Sequence, residues 1–168
     1  RAQKIACSFL EDKGNVLSAD HRRAIGQLTR EFADLASGKL RGRRAYALPT
    51  GMGKTTTAAA FIAALHQLEH HHVAVAVAAS RVEALGDFHE KLLHFGVPDS
   101  LIGIKHTVRD SGVLNTGNES RLYQLVTHVR ARSATNPFGA PTLAGSHHGR
   151  DRALCIYDET LWRADTAS

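Results

Sequence analysis

The sequence predicts an α/β fold, a mainly parallel sheet with helices on both faces. Three observations carry this expectation. Strand-like and helix-like segments alternate along the chain. Residues 73–79 read VAVAVAA, alternating valine with alanine and not with polar residues, as a strand covered on both faces does. Two chemically marked segments, around Pro49 and at Asp158, each follow a predicted strand, and open α/β sheets bind ligands outside the carboxyl ends of their strands.

The elements follow in order. Residues 1–19 read as a helical lead-in, and residues 20–168 as the main domain. Residues 20–37 predict a helix: Asp20 caps its start, Ile25, Leu28, Phe32 and Leu35 share a face, and Gly38 ends it. Residues 43–48 predict a short strand and residues 49–53 a tight loop. Residues 55–69 predict an alanine-rich helix whose larger apolar side chains are Phe61, Ile62, Leu65 and Leu68. After the 73–79 strand, Ser80 and Glu83 form an S-x-x-E capping box that opens a helix to about His94, broken by Gly96 and Pro98. Residues 101–104 and 122–127 are further strands, with a loop over 105–118 between them. Residues 133–150, rich in Gly, Pro, Ser and His, predict a long loop. Residues 153–157 are the last apolar strand, ending at Asp158 and Glu159.

A length of 168 residues suits one compact domain, and 43% hydrophobic with 22% charged residues suits a chain that buries a core. No apolar run approaches the roughly 18 residues of a membrane span, and no apolar segment with a cleavage site opens the chain. Two cysteines, Cys7 and Cys155, are too few for a disulfide framework and fit a reducing, cytoplasmic setting. The chain starts at Arg1, which suggests processing or a piece of something longer. Net charge is +5, yet residues 1–54 hold 11 Lys and Arg against 5 Asp and Glu. The excess gathers at Lys39, Arg41, Arg43 and Arg44, which suits contact with phosphates or simply a solvated positive face.

Residues 48–56 read LPTGMGKTT and contain the G-x-G-K-S/T heart of a phosphate-binding loop. Glycines at 51 and 53 let the backbone turn sharply and bring N–H groups against phosphate oxygens. The helix that follows offers its positive N-terminus to the same anion. Lys54 can reach the β- and γ-phosphates, and the Thr55 hydroxyl can ligate Mg²⁺. The candidate cradle is Pro49, Thr50, Gly51, Met52, Gly53, Lys54, Thr55 and Thr56. Leu48 stands where the full pattern has a further glycine, and a turn merely rich in glycine is the plain alternative.

Asp158 and Glu159 follow an apolar strand. There one carboxylate can hold Mg²⁺ and its neighbour can orient or deprotonate an attacking water. As plain structure, such pairs are common where loops begin.

The two motifs together resemble the superfamily 2 DEAD/DEAH-like helicases and translocases. Their first motif often reads P-T-G-x-G-K-T, which residues 49–55 match throughout and which explains Leu48. Their second is D-E-x-x, here Asp158, Glu159, Thr160 and Leu161. The resemblance covers roughly residues 17–161 and implies a three-layer RecA-like phosphate-loop NTPase domain, truncated after its acidic box, that uses ATP and Mg²⁺. It implies that Lys54 and Thr55 contact phosphate and Mg²⁺, that Asp158 is the metal carboxylate and that Glu159 is the general base. Ser80 and Arg81, and Thr127 and His128, become candidate contacts to a nucleic-acid backbone, DNA ahead of RNA. A helix cap at Ser80 and ordinary strand-end packing at Thr127 and His128 are the plain alternatives. Many family members have an adenine-reading glutamine in a Q-x-x-A-I context; His21 takes its place here, with Gln27 as a possible substitute. The resemblance also implies a second motor domain beyond this chain, whose arginine finger is worth roughly 10³–10⁵ in rate, so these 168 residues are expected to hydrolyse ATP poorly alone.

Two other readings stand beside this one. A small kinase would use arginines as a lid, and Arg130, Arg132, Arg150 and Arg152 are the candidates, although the acidic pair suits attack by water better. A nucleotide-dependent nucleic-acid-binding module would need no turnover. The pattern H-x-x-E-H at 66–70 resembles a zinc-peptidase signature but lacks a marked third ligand, so a solvated helix end is expected there.

Overall fold

The computed structural model describes residues 1–46, 48–49, 51–108, 111–116, 120–132 and 145–158. They form two compact units. The first comprises Arg1–Val73 with Glu90–Val97, and the second Ala74–His89 with the chain from Pro98 onward.

The first unit holds three helices, α1 (Ala2–Asp12), α2 (Ala19–Ala36) and α3 (Lys54–Gln67). In α1, Ala2, Ala6, Cys7 and Leu10 recur at helical spacing and are buried. Ala6, Cys7 and Leu10 join Leu17, Ile25 and Ala60 in one core cluster, with Ile5 and Phe95 against it. Phe9 meets Phe95 edge-on, with ring centroids 5.2 Å apart. The cap of α2 is Ser18, not Asp20: the Ser18 hydroxyl accepts from the His21 N–H at 3.1 Å. Asp20 sits inside the first turn, where a carboxylate favours the helix dipole, and pairs with Arg23 at 3.1 Å. Gly38, at φ 76°, ends the helix in the left-handed region as expected. Helix α3 is buried at every position from Thr56 to Leu65, which explains its alanine content: small side chains let neighbours approach on all sides.

No described residue of 43–48 joins a strand, contrary to the pattern. Arg43, Arg44 and Ala45 are exposed, and Gly42 beside them sits at φ 88°. The Tyr46 hydroxyl fastens the segment to α2, lying 3.2 Å from Gln27 Oε1 and 3.4 Å from the Ala24 carbonyl.

The second unit is built on a four-stranded sheet, all of it parallel. Its strands are β1 (Val75–Ala79), β2 (Ile102–Lys105), β3 (Tyr123–Thr127) and, last in the chain, β6 (Leu154–Tyr157), in the spatial order β2-β3-β1-β6. Strands β1 and β3 are buried at every residue, as the valine and alanine alternation predicts. Helix α4 (Val82–His94) opens within a residue of the start that the capping box at Ser80 predicts. The short α5 (His128–Arg132) follows β3 directly and sets Ala131 against Ala78 and Val126. Part of the predicted long loop is a small hairpin, β4 (Ser146–His147) with β5 (Arg150–Asp151). Its turn residues His148 and Gly149, at φ 49° and 75°, supply the left-handed pair that a two-residue hairpin requires.

Candidate functional site

In the first unit, residues 49–57 fold as a loop running into α3. Gly51 and Gly53 have φ of 86° and 78°, the left-handed region that glycine enters without strain. The Met52 N–H donates to the Pro49 carbonyl at 3.4 Å, and the Thr57 N–H and hydroxyl both donate to the Gly53 carbonyl at 2.8 Å. Gly53 is the N-cap of α3 and has no side chain to bond the first-turn N–H groups. Lys54 Nζ donates to the Leu48 carbonyl at 3.0 Å. Gly51 is exposed, with open space where a Cβ would stand. Thr55 is half-buried, whereas Thr56 is buried and can offer a ligand only its backbone. Thr50 lies outside the described residues.

Two neighbours shape this loop, and neither was legible in the motif. His21 Nε2 donates to the Met52 carbonyl at 3.0 Å, so the residue expected to read adenine touches the loop itself. A Cβ at Gly53 would lie 2.7 Å from Leu10 Cδ1, so α1 packs directly on the turn.

In the second unit the remaining candidates share one edge of the sheet. All four strands are parallel, so their carboxyl ends lie together. Ser80 and Arg81, both exposed, follow β1; Thr127 ends β3 and His128 follows it; Asp158, half-buried, follows β6. The register sets Thr127 against Ala79, and the Asp158 N–H extends the ladder by donating to the Ala78 carbonyl at 2.8 Å. Of the two chemically marked segments, only the Asp158 one thus follows a described strand. Glu159 lies outside the described residues.

The opposite edge is held by a residue that sequence reasoning treated differently. Arg152, 8% exposed, donates to the Leu122 carbonyl at 2.9 Å, the Arg121 carbonyl at 3.0 Å and the Val75 carbonyl at 3.4 Å. Burial pulls its guanidinium down to about 10. It clips the amino ends of β1 and β3, at the far end of the strands from Asp158, and is no part of a lid. The Cys155 thiol on β6 is shifted up, with desolvation the largest cause.

The residues fit the groups the resemblance implies. An uncapped helix N-terminus, two left-handed glycines and an adjacent lysine suit a polyphosphate. Mg²⁺ takes hard oxygen ligands and keeps several waters, and the Thr55 hydroxyl in the first unit and the Asp158 carboxylate in the second are each of that chemical kind. No helix among the described residues is long and apolar enough to cross a membrane. No protein-family model matches this chain, no curated protein matches it, and no solved structure matches it.

Proposed function

We propose that this chain is the RecA-like, ATP-binding first motor domain of a nucleic-acid helicase or translocase. The observation that carries the proposal is the loop before α3, a P-T-G-x-G-K-T sequence whose glycines at 51 and 53 both take left-handed φ at an uncapped helix N-terminus. In this reading Gly51 to Thr56 bind the phosphates through backbone N–H groups. Lys54 exchanges its bond to Leu48 for phosphate oxygens. Thr55 and Asp158 are the residues that would hold Mg²⁺, which would supply charge neutralisation at the phosphates. Glu159 accepts a proton from the attacking water as its oxygen bonds the γ-phosphorus and the bond to the departing ADP breaks. Nucleic acid, DNA ahead of RNA, crosses the carboxyl edge of the sheet at Ser80, Arg81 and Thr127, held mainly through phosphates. A second motor domain completes the machine.

The deciding experiment is a titration of ATP into wild type, Lys54→Ala and Asp158→Asn, with and without Mg²⁺ and single-stranded DNA. Lys54→Ala is expected to bind about tenfold or more weakly, one lost charge-assisted bond being worth about 1.5–3 kcal/mol. Asp158→Asn is expected to lose affinity only when Mg²⁺ is present. Unchanged ATP affinity in Lys54→Ala overturns the proposal. Transfer of phosphate to a small acceptor in preference to water favours the kinase reading, which the position of Arg152 at the opposite edge does not support.

A further inference from the structure

His128 stands at the end of β3, where a nucleic-acid contact is one expectation. Its imidazole points elsewhere. Nε2 lies 3.0 Å from the carbonyl of Asp158 and 3.2 Å from the carbonyl of Ala78. Carbonyls only accept, so Nε2 carries the proton and donates to both. The Ala78 carbonyl also takes the Asp158 N–H at 2.8 Å, so one small network joins three strand ends. The ring leans on Tyr157, with centroids 5.9 Å apart. Nε2–H is thus spent on backbone carbonyls and is not free for a phosphate oxygen.

We infer that His128 is a positioning residue that couples the nucleic-acid edge of the sheet to the acidic residue Asp158. Its own backbone continues Thr127. One of its bonds reaches the strand that leads through Ala79 into Ser80 and Arg81. The other holds the peptide of Asp158. A strand of DNA that shifts the ends of β1 and β3 therefore shifts the backbone carrying the Asp158 carboxylate. The same network runs in reverse, because coupling between two ligands is reciprocal. The part of this inference that concerns ligands rests on the proposed nucleotide reading; the hold on Asp158 does not.

Two variants test it in the 168-residue chain. His128→Phe keeps a ring against Tyr157 and loses the donor. His128→Gln keeps an N–H near the place of Nε2. Three quantities are measured: hydrogen exchange at the Asp158 amide, affinity for a 20-nucleotide oligo-dT alone, and the factor by which that oligonucleotide changes affinity for Mg²⁺ with ATPγS. Allosteric couplings commonly amount to about 5–150-fold, and wild type is expected to fall in that range. In His128→Phe the coupling is expected to fall below about twofold and Asp158 exchange to rise about tenfold, while oligo-dT alone binds within about twofold of wild type. His128→Gln is expected to restore both.

Coupling retained in His128→Phe, unchanged exchange at Asp158, or oligo-dT binding weakened tenfold in the absence of nucleotide each overturns the inference. So does a wild type that binds both ligands without coupling, an outcome that leaves the nucleotide reading standing. If Lys54→Ala binds ATPγS as tightly as wild type, the nucleotide reading fails instead, and exchange at Asp158 still decides whether His128 holds that residue.

Discussion

His21, in the first turn of α2, donates its Nε2–H to the Met52 carbonyl at 3.0 Å, in the middle of the phosphate-type loop. An imidazole so engaged has only Nδ1 left for any other contact. The bond acts on the loop, and the loop would meet the phosphates that every nucleotide shares. His21→Ala is therefore expected to weaken ATP and GTP by the same factor, about fivefold for one hydrogen bond worth about 1 kcal/mol. Parallel titrations of the two nucleotides check this, and a loss confined to ATP would show that His21 reads the base.

Gly53 has two reasons to stay glycine. At φ 78° any other residue is strained, and a Cβ there would sit 2.7 Å from Leu10 Cδ1. Gly53→Ala is expected to lose about 3 kcal/mol, combining left-handed strain of about 1–2 kcal/mol with overpacking of about 1–3 kcal/mol. Leu10→Ala removes the clash but not the strain. Urea unfolding of both single variants and the double variant should show the double less destabilised than the sum, by about 1–2 kcal/mol.

Arg152 satisfies carbonyls that belong to the first residues of the sheet. Arg152→Met keeps much of the side chain's length and takes its donor from the Arg121 carbonyl, while the Leu122 carbonyl keeps the Val75 N–H. Loss of about 2 kcal/mol is expected, since a buried group deprived of its partner costs about 1–3 kcal/mol. ATP affinity should change little. A large loss of ATP affinity at unchanged stability would contradict the structural role.

Tyr123 is fully buried in β3, and its hydroxyl has no hydrogen-bond partner among the described residues. Burial pushes it up to about 12 from an ordinary value of 10.0. Between those values the unfolded chain has already released the proton and the folded chain has not, so raising pH favours unfolding. Below pH 10.0 this group leaves stability unchanged, and the loss, about 3 kcal/mol in full, accumulates toward pH 12. Tyr123→Phe should flatten that alkaline fall and leave neutral stability equal or higher. Thermal melts of both proteins from pH 8 to 11 are the measurement, and parallel pH dependence would refute the assignment.

The patterns that rest on neighbours in sequence were legible. The strand at β1 was marked by valine and alanine, β3 and β6 by apolar runs whose observed starts lie within a residue of the expected ones, and α3 by alanine between two polar ends. The glycines of the loop were marked because a backbone at positive φ admits few other residues. The 43–48 strand does not form among the described residues, because strand formation depends on a ladder partner as well as on local pattern. Ser18 outdid Asp20 as the cap of α2 because its side chain is the one placed three residues before the His21 N–H.

By itself, the sequence determined the kinds of elements, the turn at Gly51 and Gly53, and the chemical character of Lys54 and Asp158, all of which depend on local sterics, hydrophobic period and functional group. Only the tertiary structure decided that Ser80, Arg81, Thr127, His128 and Asp158 share one sheet edge, because that follows from strand order and parallel register. It also decided that two histidines spend their N–H groups on backbone carbonyls, His21 on a residue 31 positions away and His128 on one 30 away. A histidine's identity says that it can donate. Which carbonyl receives is set by the fold that brings distant backbone within 3 Å.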